Sequence, residues 1–129
     1  MVSPVFRIIP MIGLMGIIFF LSHQSGDTLD VFDFRWSDKI AHFIIYSCLA
    51  VTVLFAFSPG FRLVKYRVVS VLVFLFCLLY GASDEFHQSF IPGRFQSGSD
   101  LIADGLGALT ICFLFWIQSA KRIQNRKIL

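Results

Sequence analysis

The sequence predicts an all-α fold: an integral membrane four-helix bundle with both termini cytoplasmic. Three observations carry this expectation. The chain contains four apolar runs, at residues 5–21, 40–57, 68–82 and 101–117. Hydrophobic residues make up 57% of it and charged residues only 15%, with a mean hydropathy of +0.77. A soluble domain is nearer half apolar and a quarter charged, so the excess apolar surface needs a non-aqueous solvent. Third, the basic residues fall into short bands between the runs, as membrane orientation produces.

Each run needs a flanking turn to reach the roughly 20 residues that cross a bilayer at 1.5 Å per residue. The resulting spans are 5–22, 39–58, 67–86 and 99–118, within one transmembrane domain over residues 1–129. Backbone groups in lipid must be satisfied within their own segment, which makes all four spans helices. The first run also has the character of a signal peptide, but Ser22-His23-Gln24-Ser25 offers no small-residue cleavage pattern. Pro10, Gly13 and Gly16 suit a packed span, and we read it as a retained helix.

The connections set the expected orientation. Residues 22–39 carry Asp27, Asp30, Asp33 and Asp38 against Arg35 and Lys39. Residues 58–67 carry Arg62, Lys65 and Arg67 with no acid, and the tail carries Lys121, Arg122, Arg126 and Lys127. Short basic loops stay in the cytoplasm, so the first and third connections face outward. Phe32, Phe34 and Trp36 alternate with acids in the first outer link, the pattern of a segment lying on the membrane surface. Trp36 and Trp116 fit interfacial anchors, and Pro59-Gly60 and Pro92-Gly93 mark turns. The net charge of +3 does not indicate nucleic acid, because the cations form these bands and no binding face. Cys48, Cys77 and Cys112 lie inside apolar runs, odd in number and without a C-x-x-C, and read as buried thiols.

The polar residues of the spans follow helical spacing. Asp38, His42 and Tyr46 are four apart. Tyr80, Asp84, His87 and Gln88 are offset by four, seven and eight. Ser97, Asp100 and Asp104 are offset by three and seven. Each set makes one stripe, and all three stripes lie at the outer helix ends. His42, Asp84 and Asp104 are therefore expected to converge in a shallow outward pocket. Glu85 lies about 100° around the helix from Asp84, where an ordinary helix-end residue is the simpler reading. Ser99, Ala103 and Gly107 form a small-xxx-small stripe, widened by Gly105, with Cys77 and Gly81 as counterparts. Arg94 follows a Pro-Gly turn among Phe90, Ile91 and Phe95. Its guanidinium fork suits a phosphate or carboxylate ligand, or a salt bridge to Asp84, Glu85 or Asp100.

These residues resemble the VanZ-like family of small bacterial membrane proteins. The pattern has an Asp-Lys followed by His, here Asp38-Lys39-Ile40-Ala41-His42. It continues with Tyr80, the acidic pair Asp84-Glu85, Gln88 and Pro92-Gly93-Arg94. It closes with Asp100, Asp104 and Gly107. This chain has Asp104 where the family pattern most often has Asn, which adds a carboxylate. The resemblance covers about Asp38 to Ala108. It implies a multi-pass protein of the bacterial inner (plasma) membrane, and the family's namesake is linked to resistance to the glycopeptide teicoplanin.

The expected function is binding or modification of an envelope lipid or lipid-linked cell-wall group at an outward site. The expected partners are the bilayer and a phosphate-bearing or lipid-linked envelope substrate. Asp84, Glu85, His42 and Asp104 are the candidate acid–base groups. Arg94, Gln88, Tyr80, His87, Asp100, Asp38, Lys39 and Tyr46 are the candidate ligand contacts. The carboxylates are able to ligate a metal, but no metal set or cofactor is assigned. No nucleophile motif is present, because Ser89, Ser97 and Ser99 have no spacing that singles one out, and enzymatic activity is left open. The alternative is a structural or accessory protein whose stripes lock the bundle. A transporter ranks last, because no charge reaches the membrane middle.

Overall fold

A computed structural model describes residues 3–25 and 37–126. The expected surface segment at Phe32, Phe34 and Trp36 lies outside the described residues, as do Asp27, Asp30, Asp33, Arg35 and Lys127. The described elements are all helical: α1 (Pro4–Ser22), α2 (Ser37–Ala56), α3 (Pro59–Val64), α4 (Tyr66–Gln88) and α5 (Gly98–Arg126). All but α3 are long and apolar enough to cross a membrane.

Two boundaries differ from the sequence expectation for local reasons. The basic connection after α2 holds the one-and-a-half-turn α3. Ser58 caps it by accepting from the Phe61 N–H at 3.4 Å, and Pro59 occupies its first turn, where a missing N–H costs nothing. The last helix continues past residue 118 to Arg126. Residues 118–126 contain Gln, Ser, Ala, Lys and Arg and no Gly or Pro, so the backbone has no reason to stop where the apolar run does.

α5 packs against both α2 and α4, and α1 packs against α2 and α4 in turn. The shared core contains Tyr46, Leu49, Ala50 and Val53 of α2, Val69, Val73 and Cys77 of α4, and Ala108 and Cys112 of α5. Small residues set the closest approaches. A Cβ at Gly107 would collide with the Phe43 carbonyl oxygen and stand 3.0 Å from Ser47 Oγ, so Gly107 lets α5 lie directly on the α2 backbone. A Cβ at Gly81 would stand 2.8 Å from Asp104 Oδ2, so Gly81 clears the space that this carboxylate fills.

Little of the apolar surface faces this core. Only 11% to 33% of each span's apolar window is buried inside the protein. Phe6, Phe20, Leu79 and Phe113 are each more than half exposed. In water such a surface would aggregate, whereas in lipid it is solvated. At the end of the bundle opposite the polar stripes, Arg7 of α1 is buried. It donates from Nη1 to the Phe57 carbonyl at 3.4 Å, which ties α1 to the end of α2.

Candidate functional site

The polar site is built where α1, α2 and α4 end or begin beside the first turns of α5. On α2, the four-residue spacing puts Asp38, His42 and Tyr46 on one face. The His42 and Tyr46 rings lie parallel, with centroids 6.5 Å apart. Asp38 remains half exposed at the helix start, while Tyr46 is completely buried. On α5, Asp100 and Asp104 lie about one turn apart on the face that meets α2 and α4.

Two pairs cross between α2 and α5. Lys39 forms an ion pair with Asp100, and its Nζ is also 3.8 Å from Asp38 Oδ2. His42 donates from Nδ1 to Asp104 Oδ1 at 2.9 Å, and its Nε2 stands 3.9 Å from Asp38 Oδ1. A carboxylate acceptor places the imidazole proton on Nδ1 and leaves Nε2 turned toward Asp38. Asp104 has no solvent exposure, and its second oxygen, Oδ2, has no partner among the described residues.

On α4, Gln88 donates through Nε2 to Asp84 Oδ2 and to Ser22 Oγ of α1, both at 3.2 Å. Asp84 and Gln88 are buried. Glu85 is buried as well, at 2% exposure, and not the exposed helix-end residue its position around the helix suggests. The reason is the loop after α4, which folds back so that the Ser97 N–H donates to Glu85 Oε2 at 2.7 Å. Within that loop the Arg94 N–H donates to the Ile91 carbonyl at 3.1 Å, with Pro92 and Gly93 between them. Gly93 has φ of 75°, the left-handed value required at the third position of a type II turn. The turn aims Arg94 at α1, where Nε and Nη2 stand 3.4 and 3.5 Å from the Gln24 and Leu21 carbonyls. Among the described residues, no carboxylate pairs with Arg94.

A cavity of about 620 Å³ lies between these groups. Asp38, Lys39, His42, Asp84, Gln88, Arg94, Ser97 and Asp100 form its polar wall. Ile18 and Leu21 of α1, Ile45 of α2 and Phe95 of the loop form its apolar wall, and Tyr46 also lines it. The Tyr46 hydroxyl is buried, with no partner among the described residues. Asp104 and Glu85 stand one residue behind the wall, through His42 and Ser97 respectively.

Two of the residues singled out from sequence lie elsewhere. The Tyr80 hydroxyl donates to the Met15 carbonyl at 2.7 Å and fastens α4 to α1. His87 pairs with His23, ring nitrogen to ring nitrogen at 3.2 Å, beside Phe19. The three serines weighed from sequence bond locally. Ser97 and Ser99 bond to each other at 2.8 Å, and Ser89 donates to the Phe86 carbonyl. Sequence reasoning missed the contribution of α1, since Ile18, Leu21 and Ser22 belong to an apolar run with no polar stripe. Ser22, the polar residue that ends the run, was the available signal.

Four long apolar helices, with a polar cavity among their ends, define a small multi-pass integral membrane protein. A family model described as VanZ/LLP1 matches residues 6–119, and the chain belongs to that family. The match extends on both sides of the region that carries the motif resemblance. Neither a curated protein nor a solved structure matches the chain significantly.

Proposed function

We propose that the cavity binds the phosphate-bearing head group of a membrane lipid or lipid-linked envelope group, on the outer side of the bacterial plasma membrane. One observation carries this reading. A single cavity joins an apolar wall, suited to the start of an acyl or prenyl chain, to a polar wall holding Arg94 and Lys39. Its volume falls in the range of small-molecule sites. Among the described residues, the Arg94 guanidinium makes two long bonds to carbonyls, which leaves donors for a bidentate phosphate contact.

The outward orientation rests on charge. Arg62, Lys65 and Arg67, together with Lys121, Arg122 and Arg126, lie at the end opposite the cavity, and basic short segments stay cytoplasmic. Reporter fusions after Gly60 and Leu129 should read cytoplasmic, and a fusion near Gly93 should read external. An external signal at Leu129 defeats this orientation.

A second reading has its own support: His42–Asp104, Lys39–Asp100 and Gln88–Ser22 all join different helices, as bundle locks would. Arg94 separates the two. In detergent, Arg94→Lys should weaken binding of a polyprenyl phosphate roughly tenfold, because Lys keeps the charge but loses the fork. Neither Arg94→Lys nor Arg94→Ala should cost more than about 1 kcal/mol of stability, given bonds this long. Unchanged lipid binding with a large loss of thermal stability would assign Arg94 to the bundle and not to a ligand.

A further inference from the structure

The wall of the cavity is short of positive charge for the task just assigned to it. Asp38, Asp84 and Asp100 line it, with Glu85 and Asp104 immediately behind, against the fixed cations Lys39 and Arg94. Lys39 is already committed to Asp100. A phosphate placed there would meet more carboxylates than cations, and like charges at these distances repel. A cation held by the carboxylates removes the conflict, and the geometry for one is present. Asp38, His42 and Asp100 each offer a ligand atom, and the three atoms lie within 4.8 Å of one another.

We propose that Asp38, His42 and Asp100 bind a divalent metal ion that bridges the protein to the lipid phosphate. The proposal rests on the head-group reading for the ion's role, and on these three side chains for its position. His42 is oriented for ligation. Its Nδ1–H is held by the fully buried Asp104 at 2.9 Å, while Nε2 stands 3.9 Å from Asp38 Oδ1. A carboxylate that fixes the far nitrogen of a ligating histidine is the usual outer support of a metal site. Bonds of about 2.0–2.2 Å require the three ligand atoms to close in by less than about 1 Å. A second observation also asks for a polar guest. Tyr46, one turn below His42 and lining the same cavity, has a completely buried hydroxyl with no partner among the described residues. The Lys39 ammonium, set between Asp38 and Asp100, marks where their field holds a cation. It swings away on metal entry and becomes free to contact the phosphate. One imidazole with two carboxylates suits a first-row ion such as Mn²⁺ or Zn²⁺ better than Mg²⁺.

The test uses the full chain in detergent and Mn²⁺ alone as probe, with the free-ion signal followed by electron paramagnetic resonance. Wild type should remove one equivalent of signal, reversed by Zn²⁺. Asp38→Asn, at the half-exposed position least needed for folding, and Asp100→Asn should each weaken binding more than tenfold. Asp104→Asn, acting through His42, should weaken it roughly 10- to 100-fold. Lys39→Met removes the competing ammonium and should tighten it. Absence of Mn²⁺ binding by wild type, or binding unchanged in both Asp38→Asn and Asp100→Asn, overturns the proposal. A polyprenyl phosphate added afterwards separates the two readings. Metal binding that fails to raise lipid affinity keeps the ion and removes its head-group role. Lipid binding by a wild type that takes up no Mn²⁺ keeps the head group and removes the ion.

Discussion

Replacing His42 with Ala should destabilise the bundle by about 3–5 kcal/mol, because it strands a buried carboxylate. Asp104 has no solvent exposure, and His42 is its only hydrogen-bond partner among the described residues. Its other oxygen is confined against Gly81 without a partner. Removing the imidazole leaves Asp104 either as an uncompensated charge behind the cavity wall or as a carboxylic acid protonated at a cost. The melting curve in detergent measures this loss. Neutralising the acid as well, in His42→Ala with Asp104→Asn, should recover more than half of it. A His42→Ala protein as stable as wild type, or a double variant no better than the single one, would show that the pair does not hold α2 to α5.

Gly107 should also be intolerant, for a steric and not an electrostatic reason. Any Cβ there collides with the Phe43 carbonyl oxygen and crowds Ser47 Oγ at 3.0 Å. Both atoms belong to α2 and neither is the free end of a long side chain. α5 must therefore lift off α2, which separates the core residues around Ala108 and Leu49 and pulls Asp104 from His42. Gly107→Ala should cost about 1–3 kcal/mol, the usual result of overpacking, and Gly107→Leu more than that. Gly105 is the control on the same helix. A Cβ there meets only Leu78 Cδ1, at an ordinary 3.6 Å. Gly105→Ala should leave stability unchanged or raise it by up to about 1 kcal/mol through the helix preference of Ala. Equal losses at the two positions would mean that close α2–α5 approach is not what Gly107 provides.

The parts of this protein that were legible in its sequence are those governed by simple periodicities. Lipid leaves helices as the form for an apolar run, so the four long helices follow from run length alone. Four-residue spacing placed Asp38, His42 and Tyr46 on one face, and the packing of α2 on α5 brings His42 to Asp104. What the sequence hid depends on how the chain folds back. Glu85 points away from Asp84 around the helix, and only the return of the loop to Ser97 buries it. Tyr80 continues the Asp84 stripe but faces the Met15 carbonyl, a backbone acceptor that no sequence pattern displays. The apolar wall from α1 is invisible for the same reason: a run of Ile and Leu does not say which side meets a cavity and which meets lipid. Pro59-Gly60 read as a turn because six helical residues are too few to show a period.

If the cavity recognises a phosphate on a lipid, two lipids that differ only there should bind with different affinity. Purified protein in detergent is titrated with a polyprenyl phosphate and with the corresponding polyprenyl alcohol. The shared chain should give weak binding in both cases. The phosphate should bind at least tenfold more tightly, about 1.4 kcal/mol, and Arg94→Lys should erase most of that difference. Equal affinity for phosphate and alcohol, or no binding of either, would rule out phosphate recognition and leave the polar cluster as a lock between helices.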